Sequence, residues 1–235
     1  SHMIVDEDGE TPFAVPVSEN SSGDRNIIYY PGGLHRLTPE DIDEDYVSSG
    51  SLLHISGASA ATLHAAQLAK KHGLLVAIDA ERYRPELDEL MPFLDVFIGS
   101  EMCYQGLFDD EAYHENCRQI QALGPRIVGF TLGSRGSVGV DGDQTFFEES
   151  ISVEARDTTG AGDVYHGAFN YGLLQGWDTA YVARFANIVA AIKCTRLGGR
   201  AAIPSRDNVE RYMKEGVIDF AEIDERVAFY RTLQV

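Results

Sequence analysis

The sequence contains no apolar run that approaches membrane-spanning length, which excludes a transmembrane helix as its organising element. It has three cysteines, Cys103, Cys117 and Cys194, an odd number set far apart. No CxxC or Cys/His spacing accompanies them, so neither a disulfide framework nor a thiolate metal knuckle is indicated, and they read as buried or incidental thiols in a reducing compartment. Basic residues are scarce: 19 Lys and Arg stand against 37 Asp and Glu, a formal charge of −18. That balance argues against nucleic acid or an anionic membrane surface as the main partner. A small anionic ligand remains admissible if local N–H groups and single arginines overcome the global field. No internal repeat, low-complexity linker or charged-then-apolar leader is seen, and the chain is expected to be soluble and cytoplasmic.

What is present suits one globular domain: 235 residues, 44% of them hydrophobic, are ample for a core. Ser1, His2 and Met3 read as a cloning scar, and residues 4–235 as the domain. Residues 11–18 (TPFAVPVS) and 26–30 (NIIYY), separated by the polar turn ENSSGDR, predict a hairpin closed by Pro31, Gly32 and Gly33. Thr38, Pro39 and Glu40 predict the start of a short acidic helix reaching Asp45. Apolar strands then alternate with helical patterns: strand 51–56, helix 58–73 with a glycine cap, strand 74–79, short helix 85–93, strand 95–99, helix 109–124 and strand 127–133. This is the pattern of a three-layer α/β/α fold with a mostly parallel central sheet. After residue 133 the run SRGSVGVDGDQTFFEES predicts a β-meander, followed by helices after residue 163 and over 179–196, 206–215 and 219–233.

The stretch richest in chemistry is Asp157–Asp163, DTTGAGD. Gly160 and Gly162 lack a Cβ, so a bulky anion can approach main-chain N–H groups at a helix start. Those donors and the positive end of the helix dipole suit a phosphate. Asp163 falls in the first helical turn, where a carboxylate can accept a proton from a hydroxyl brought to that phosphate. Taken alone, the stretch is read about equally well as an ordinary helix start with Thr158 or Thr159 as N-cap. The glycines of GFTLGSRG (129–136) resemble a dinucleotide fingerprint, but that fingerprint needs a following helix and SVGVDGD reads as strand and turn.

Thr131, Gly133 and Gly136, then short β segments, then DTTGAGD, then Ala186 and Asn187 on a later helix, resemble the ribokinase-like (PfkB) carbohydrate kinases over about residues 11–204. The resemblance implies that Asp163 is the catalytic base and meets the sugar hydroxyl, while the N–H groups of Gly160, Ala161 and Gly162 hold the γ-phosphate. It implies that Thr131, Gly133 and Gly136 line the nucleotide cleft and that Asn187 lies near the adenine. ATP and Mg2+ are the implied cofactors. The Asp157 side chain and Thr159 carbonyl, with carbonyls near Gly199, are the implied ligands of a monovalent cation such as K+. Residues 11–33 become a lid hairpin and residues 34–235 the nucleotide- and phosphate-binding core.

The pattern departs from the family in two places. Where an NxxE motif is common near magnesium, the chain reads Ser100, Glu101, Met102, Cys103, which leaves Glu101 as a displaced carboxylate for the Mg2+ environment. After the strand ending at Asp79, Arg82 and Arg84 are candidates for substrate or phosphate contact. The family's first strands and glycine-pair motif precede the point where this chain starts, so much of the sugar site is expected to lie outside it. The resulting exposed sheet edge favours a homodimer. The leading expectation is an ATP-dependent kinase of a sugar hydroxyl; the alternatives are a catalytically inactive nucleotide-binding fragment of such a kinase and a Rossmann-type oxidoreductase.

Overall fold

The computed structural model describes residues 4–18 and 25–232. Strands β1 (Phe13–Ser18) and β2 (Arg25–Tyr30) form an antiparallel pair in which Phe13 faces Tyr30 and Val15 faces Ile28. The turn expected at ENSSGDR falls almost wholly outside the described residues, as do Ser1–Met3. The second sheet has six strands in sequence order: β3 (Leu52–Ile55), β4 (Leu75–Ala80), β5 (Val96–Ser100), β6 (Ile127–Thr131), β7 (Ser137–Asp141) and β8 (Gln144–Glu148). The first four are parallel, and β7 and β8 turn back antiparallel.

Helices α1 (Glu44–Ser48), α2 (Ala60–Lys71), α3 (Glu101–Leu107) and α4 (Tyr113–Gln121) come before the β7–β8 turn, and α5 (Ala161–Leu174), α6 (Thr179–Lys193), α7 (Arg206–Glu215) and α8 (Phe220–Thr232) follow it. Strand alternation sends side chains to two faces. Val76, Ile78 and Ala80 of β4 join Val128 and Phe130 of β6 in a core with α2, α3 and α4. Ala77, Val96, Ile98 and Ile127 face the other way, onto α5, α6, Val209 of α7 and Ile223 of α8. The layers are therefore helix, sheet, helix. Burying side chains such as Phe97, Phe130 and Ile98, all essentially inaccessible to solvent, contributes about 2 kcal/mol each.

Local chemistry sets the boundaries. Ser59 caps α2 by a reciprocal pair, with Thr62 N–H to Ser59 Oγ at 3.1 Å and Ser59 N–H to Thr62 Oγ1 at 2.7 Å. Asp178 caps α6 and Ser205 caps α7. The acidic helix expected from Thr38 is split. A 3-10 turn over Pro39–Asp41 closes when Asp41 Oδ2 takes the Thr38 N–H at 2.8 Å, and Asp43 then caps α1 anew. The expected helix 85–93 is two 3-10 turns, Pro85–Glu89 and Met91–Phe93, because Pro85 and Pro92 each remove a backbone donor. Helix 109–124 shortens to α4, since Asp110 Oδ1 binds the Ala112 N–H at 3.0 Å and holds the entry as a turn. Among the described residues no helix is long and apolar enough to cross a membrane.

Candidate active site

The parallel strands β4, β5 and β6 end together at Ala80, Ser100 and Thr131, the edge at which open α/β sheets gather ligands. Beyond Thr131 the chain makes a tight turn through Gly133 and Gly136 before returning as β7. Gly136 has φ of 101°, and a Cβ there would stand 2.0 Å from the Glu148 carbonyl oxygen, so both conformation and packing require glycine. A strand, not a helix, follows these glycines, so the turn is no dinucleotide fingerprint.

This turn walls a cleft of ≈ 440 Å3, within the range of small-molecule sites. Thr131, Gly133 and Gly136 line one side, Ala161 and Gly162 the end, and Asn187 the helix side. Asn187 is buried, and its Nδ2 donates to Ser137 Oγ at 3.1 Å and to the Glu148 carbonyl at 2.8 Å. Its amide therefore staples α6 to the β7–β8 hairpin, and its contribution to the cleft is to fix the distance between the walls. Tyr165, which spacing did not single out, also lines the cleft.

Gly160 caps α5 in the left-handed region, φ 76°, with its Cβ position 3.1 Å from the Gly199 carbonyl oxygen. A helix start leaves its first N–H groups without intrahelical acceptors. Of the three donors expected from the sequence, the Ala161 N–H is turned to the Thr158 carbonyl at 3.1 Å and closes the turn. That leaves the N–H groups of Gly160 and Gly162, with that of Asp163, as the donors of this turn not taken by Thr158, while Ala161 lines the cleft. The Asp163 side chain is exposed on the first turn of α5, its Oδ2 3.6 Å from the Cβ position of Gly160. Donors and carboxylate thus share one end of one helix.

Behind this turn lies a charge that the sequence did not announce. Lys193, the last residue of α6, is 0% exposed, and its Nζ donates to the Asp157 carbonyl at 2.9 Å and to the Thr159 carbonyl. The Asp157 carboxylate points to other donors: Oδ1 accepts from the Thr159 N–H at 2.9 Å and Oδ2 from the Gly198 N–H at 2.8 Å. Burial pushes the Asp157 carboxyl upward, but these hydrogen bonds and the Lys193 charge outweigh it and hold the group below its ordinary value. Of the ligands expected for a monovalent cation, the Thr159 carbonyl already receives the Lys193 ammonium and the Asp157 carboxylate already receives two N–H groups. A second cation about 4 Å away would be repelled by roughly 4 kcal/mol at an effective dielectric near 20. The residues present therefore do not fit an added K+ at the Asp157 carboxylate and the Thr159 carbonyl.

One turn along α5 from Asp163, a polar cluster crosses onto the sheet. His166, 5% exposed, places Nε2 3.2 Å from Asp79 Oδ1 at the end of β4, and its ring centroid is 5.6 Å from that of His54 on β3. Asn170 Nδ2 donates to His54 Nδ1 at 3.1 Å, which requires that nitrogen to be unprotonated. Burial, followed by the charge of His166, pulls the His54 pKa down. Burial also acts against the Asp79 charge, yet the hydrogen bond and charge of His166 and the charge of His54 prevail and lower its pKa. Neither histidine was visible as a site residue, because neither belongs to a local motif.

The remaining candidates lie at the rim. Glu101 opens α3, and its Oε1 pairs with Arg135 Nη2 at 2.6 Å, next to the cleft-lining Ser134 and Gly136. Ser100 caps α3 and donates to the Glu81 carbonyl at 2.6 Å, while Cys103 is buried, its thiol pushed up to about 12 by burial. Those two substitutions in the NxxE pattern are thus structural. Arg82 and Arg84 are exposed in the loop after β4. All three cysteines are buried and unbridged, so none offers an activated thiolate.

A glycine-lined cleft ending at a helix start with a first-turn carboxylate now has a counterpart among known proteins. The model of the pfkB family carbohydrate kinases matches residues 1–206. The chain belongs to that family. A 5-dehydro-2-deoxygluconokinase from Clostridium perfringens is 27% identical over 228 residues, covering 86% of this chain and 67% of the relative. The ribokinase structure from Thermotoga maritima superposes with a TM-score of 0.75 at 28% identity, over 88% of this chain and 71% of that one. The Arabidopsis thaliana ribokinase solved with ribose and ATP shares the fold, with a TM-score of 0.75 at 23% identity over 88% of this chain and 70% of that one. Membership makes this pfkB chain a phosphotransferase by family and sets the oxidoreductase alternative aside.

Proposed function

We propose that this chain transfers the γ-phosphoryl group of ATP to the hydroxyl of a sugar or sugar acid. The observation that carries the reading is the meeting of three parts at the start of α5: the end of the cleft, the left-handed Gly160 turn with its N–H donors, and the Asp163 carboxylate. Nucleotide lies between the Thr131–Gly136 turn and α6, in a cleft whose width the Asn187 staple sets. The N–H groups of Gly160 and Gly162 receive the phosphoryl oxygens as negative charge redistributes, and the helix dipole adds to them. The acceptor hydroxyl approaches Asp163, which takes its proton while the new O–P bond forms and the bond to the ADP oxygen breaks; the proton then passes to solvent.

Mg2+ would arrive on the nucleotide phosphates, keeping most of its own waters, so the chain need not supply a full set of ligands. When bound there it offsets phosphate charge. The relatives named above include enzymes for a pentose and for a deoxy sugar acid, which supports a carbohydrate acceptor without selecting one.

The test combines calorimetry with turnover. Mg-ATP should bind to the chain, and a panel of ketoses, aldoses and deoxy sugar acids should yield at least one phosphorylated product. Asp163→Asn should cut turnover by about 10³-fold or more while Mg-ATP affinity stays within about threefold. Unchanged turnover would remove Asp163 from the reaction, and nucleotide binding with no product from any acceptor would leave a nucleotide-binding role in place of a kinase.

A further inference from the structure

We infer that the Lys193 ammonium is the monovalent cation of this site, built into the chain, and that Lys193 is a positioning residue for the anion cradle. A fully buried ammonium is costly unless several oxygens replace its water, and here main-chain carbonyls of Asp157 and Thr159 do so. These carbonyls belong to the loop that runs directly into Gly160. In a trans peptide the C=O and the next N–H point in opposite directions. Turning the Thr159 carbonyl onto Nζ therefore turns the Gly160 N–H away from it. The same holds for the Asp157 carbonyl and the Thr158 N–H.

The opposite wall of the loop is fixed to the same centre. Asp157 Oδ2 holds the Gly198 N–H, and the Cβ position of Gly160 is 3.1 Å from the Gly199 carbonyl. Two loops, 157–160 and 198–199, are thus gathered beside one positive charge at the end of α6. A bound alkali ion would perform the same work, orienting peptide dipoles and balancing Asp157, but would leave by dissociation. A lysine side chain cannot. The structural part of the inference stands independently; its kinetic consequence, turnover without added K+, rests on the phosphoryl-transfer reading.

The experiment compares the whole chain in equal concentrations of KCl and tetramethylammonium chloride. For the wild type, melting temperature and Mg-ATP affinity should be the same in both salts. Lys193→Ala should melt lower in tetramethylammonium and regain part of the loss in KCl or NH4Cl but not in LiCl, with Mg-ATP affinity rising about tenfold on the same change. Lys193→Met, which fills the space without charge, should be destabilised and should not respond. A wild-type melting temperature that rises in KCl overturns the inference, as does a Lys193→Ala protein indifferent to the cation. Should the alanine variant fail to fold, the wild-type comparison still decides. If the wild type binds no nucleotide, the kinase reading fails while the melting comparison continues to test Lys193.

Discussion

Gly136 shows how little room the cleft allows at single positions. Its left-handed φ and the Glu148 carbonyl 2.0 Å from a would-be Cβ mean that alanine cannot be added without displacing the end of β8. Gly136→Ala should lose about 3 kcal/mol of stability, readable by urea denaturation, and should weaken nucleotide binding further because β8 carries the carbonyl that Asn187 grips. A variant as stable as the wild type would show that the turn is softer than its geometry indicates. Lys193 and Asn187 belong to the same scale, each buried and each donating to main-chain carbonyls, Asn187 also to the Ser137 hydroxyl. Such residues differ from Asp163, whose carboxylate is exposed on the first turn of α5 and is the group proposed to meet substrate.

At the scale of elements, α5 joins the Gly160 turn to the sheet through His166 and Asp79, with His54 behind them. His54 has a folded pKa below its ordinary 6.5, so folding disfavours its protonated form. Stability from this group is complete above pH 6.5, and it is lost as pH falls from there through the lowered folded value. Asp79, lowered from 3.8, adds a second loss below that pH as its pairing with His166 is protonated away. The charged and titratable groups facing His54 are His166, Asp79 and Asp163. Unfolding free energy measured against pH should therefore decline from about pH 6.5 downward, and His54→Gln should flatten that first decline. An unchanged slope in the variant would assign the acid sensitivity elsewhere. None of this cluster was legible in the sequence, because its members lie on three elements that only the fold brings together. DTTGAGD was legible for the converse reason: glycine spacing, helix start and carboxylate lie in consecutive residues. Lys193 escaped notice because its partners are 36 and 34 residues away and a lysine at a helix end reads as a solvated dipole partner.

For the whole molecule, the alternation of apolar strands and amphipathic helices made the three-layer fold readable, and the break in that alternation at Ser134 made the β-meander readable. The β1–β2 hairpin was readable as well, but not its exposure. Phe13, Val15, Ile28 and Tyr30 share one face of it, with Phe13 58% and Ile28 64% exposed. An apolar face of this kind calls for a cover, and a second copy of the chain is the expected one. Sedimentation velocity should show a dimer, and Val15→Glu with Ile28→Glu should shift it to monomer without lowering the melting temperature of the core. A wild-type monomer at all concentrations would leave that face to a different role. The burial of Cys103, Cys117 and Cys194 has a practical consequence for such work. With every native thiol shielded, a lone cysteine placed at Tyr29, exposed on the hairpin's other face, would be the readily labelled site. A single dye there would test whether the hairpin moves on nucleotide or sugar addition, with no need to strip the native cysteines first.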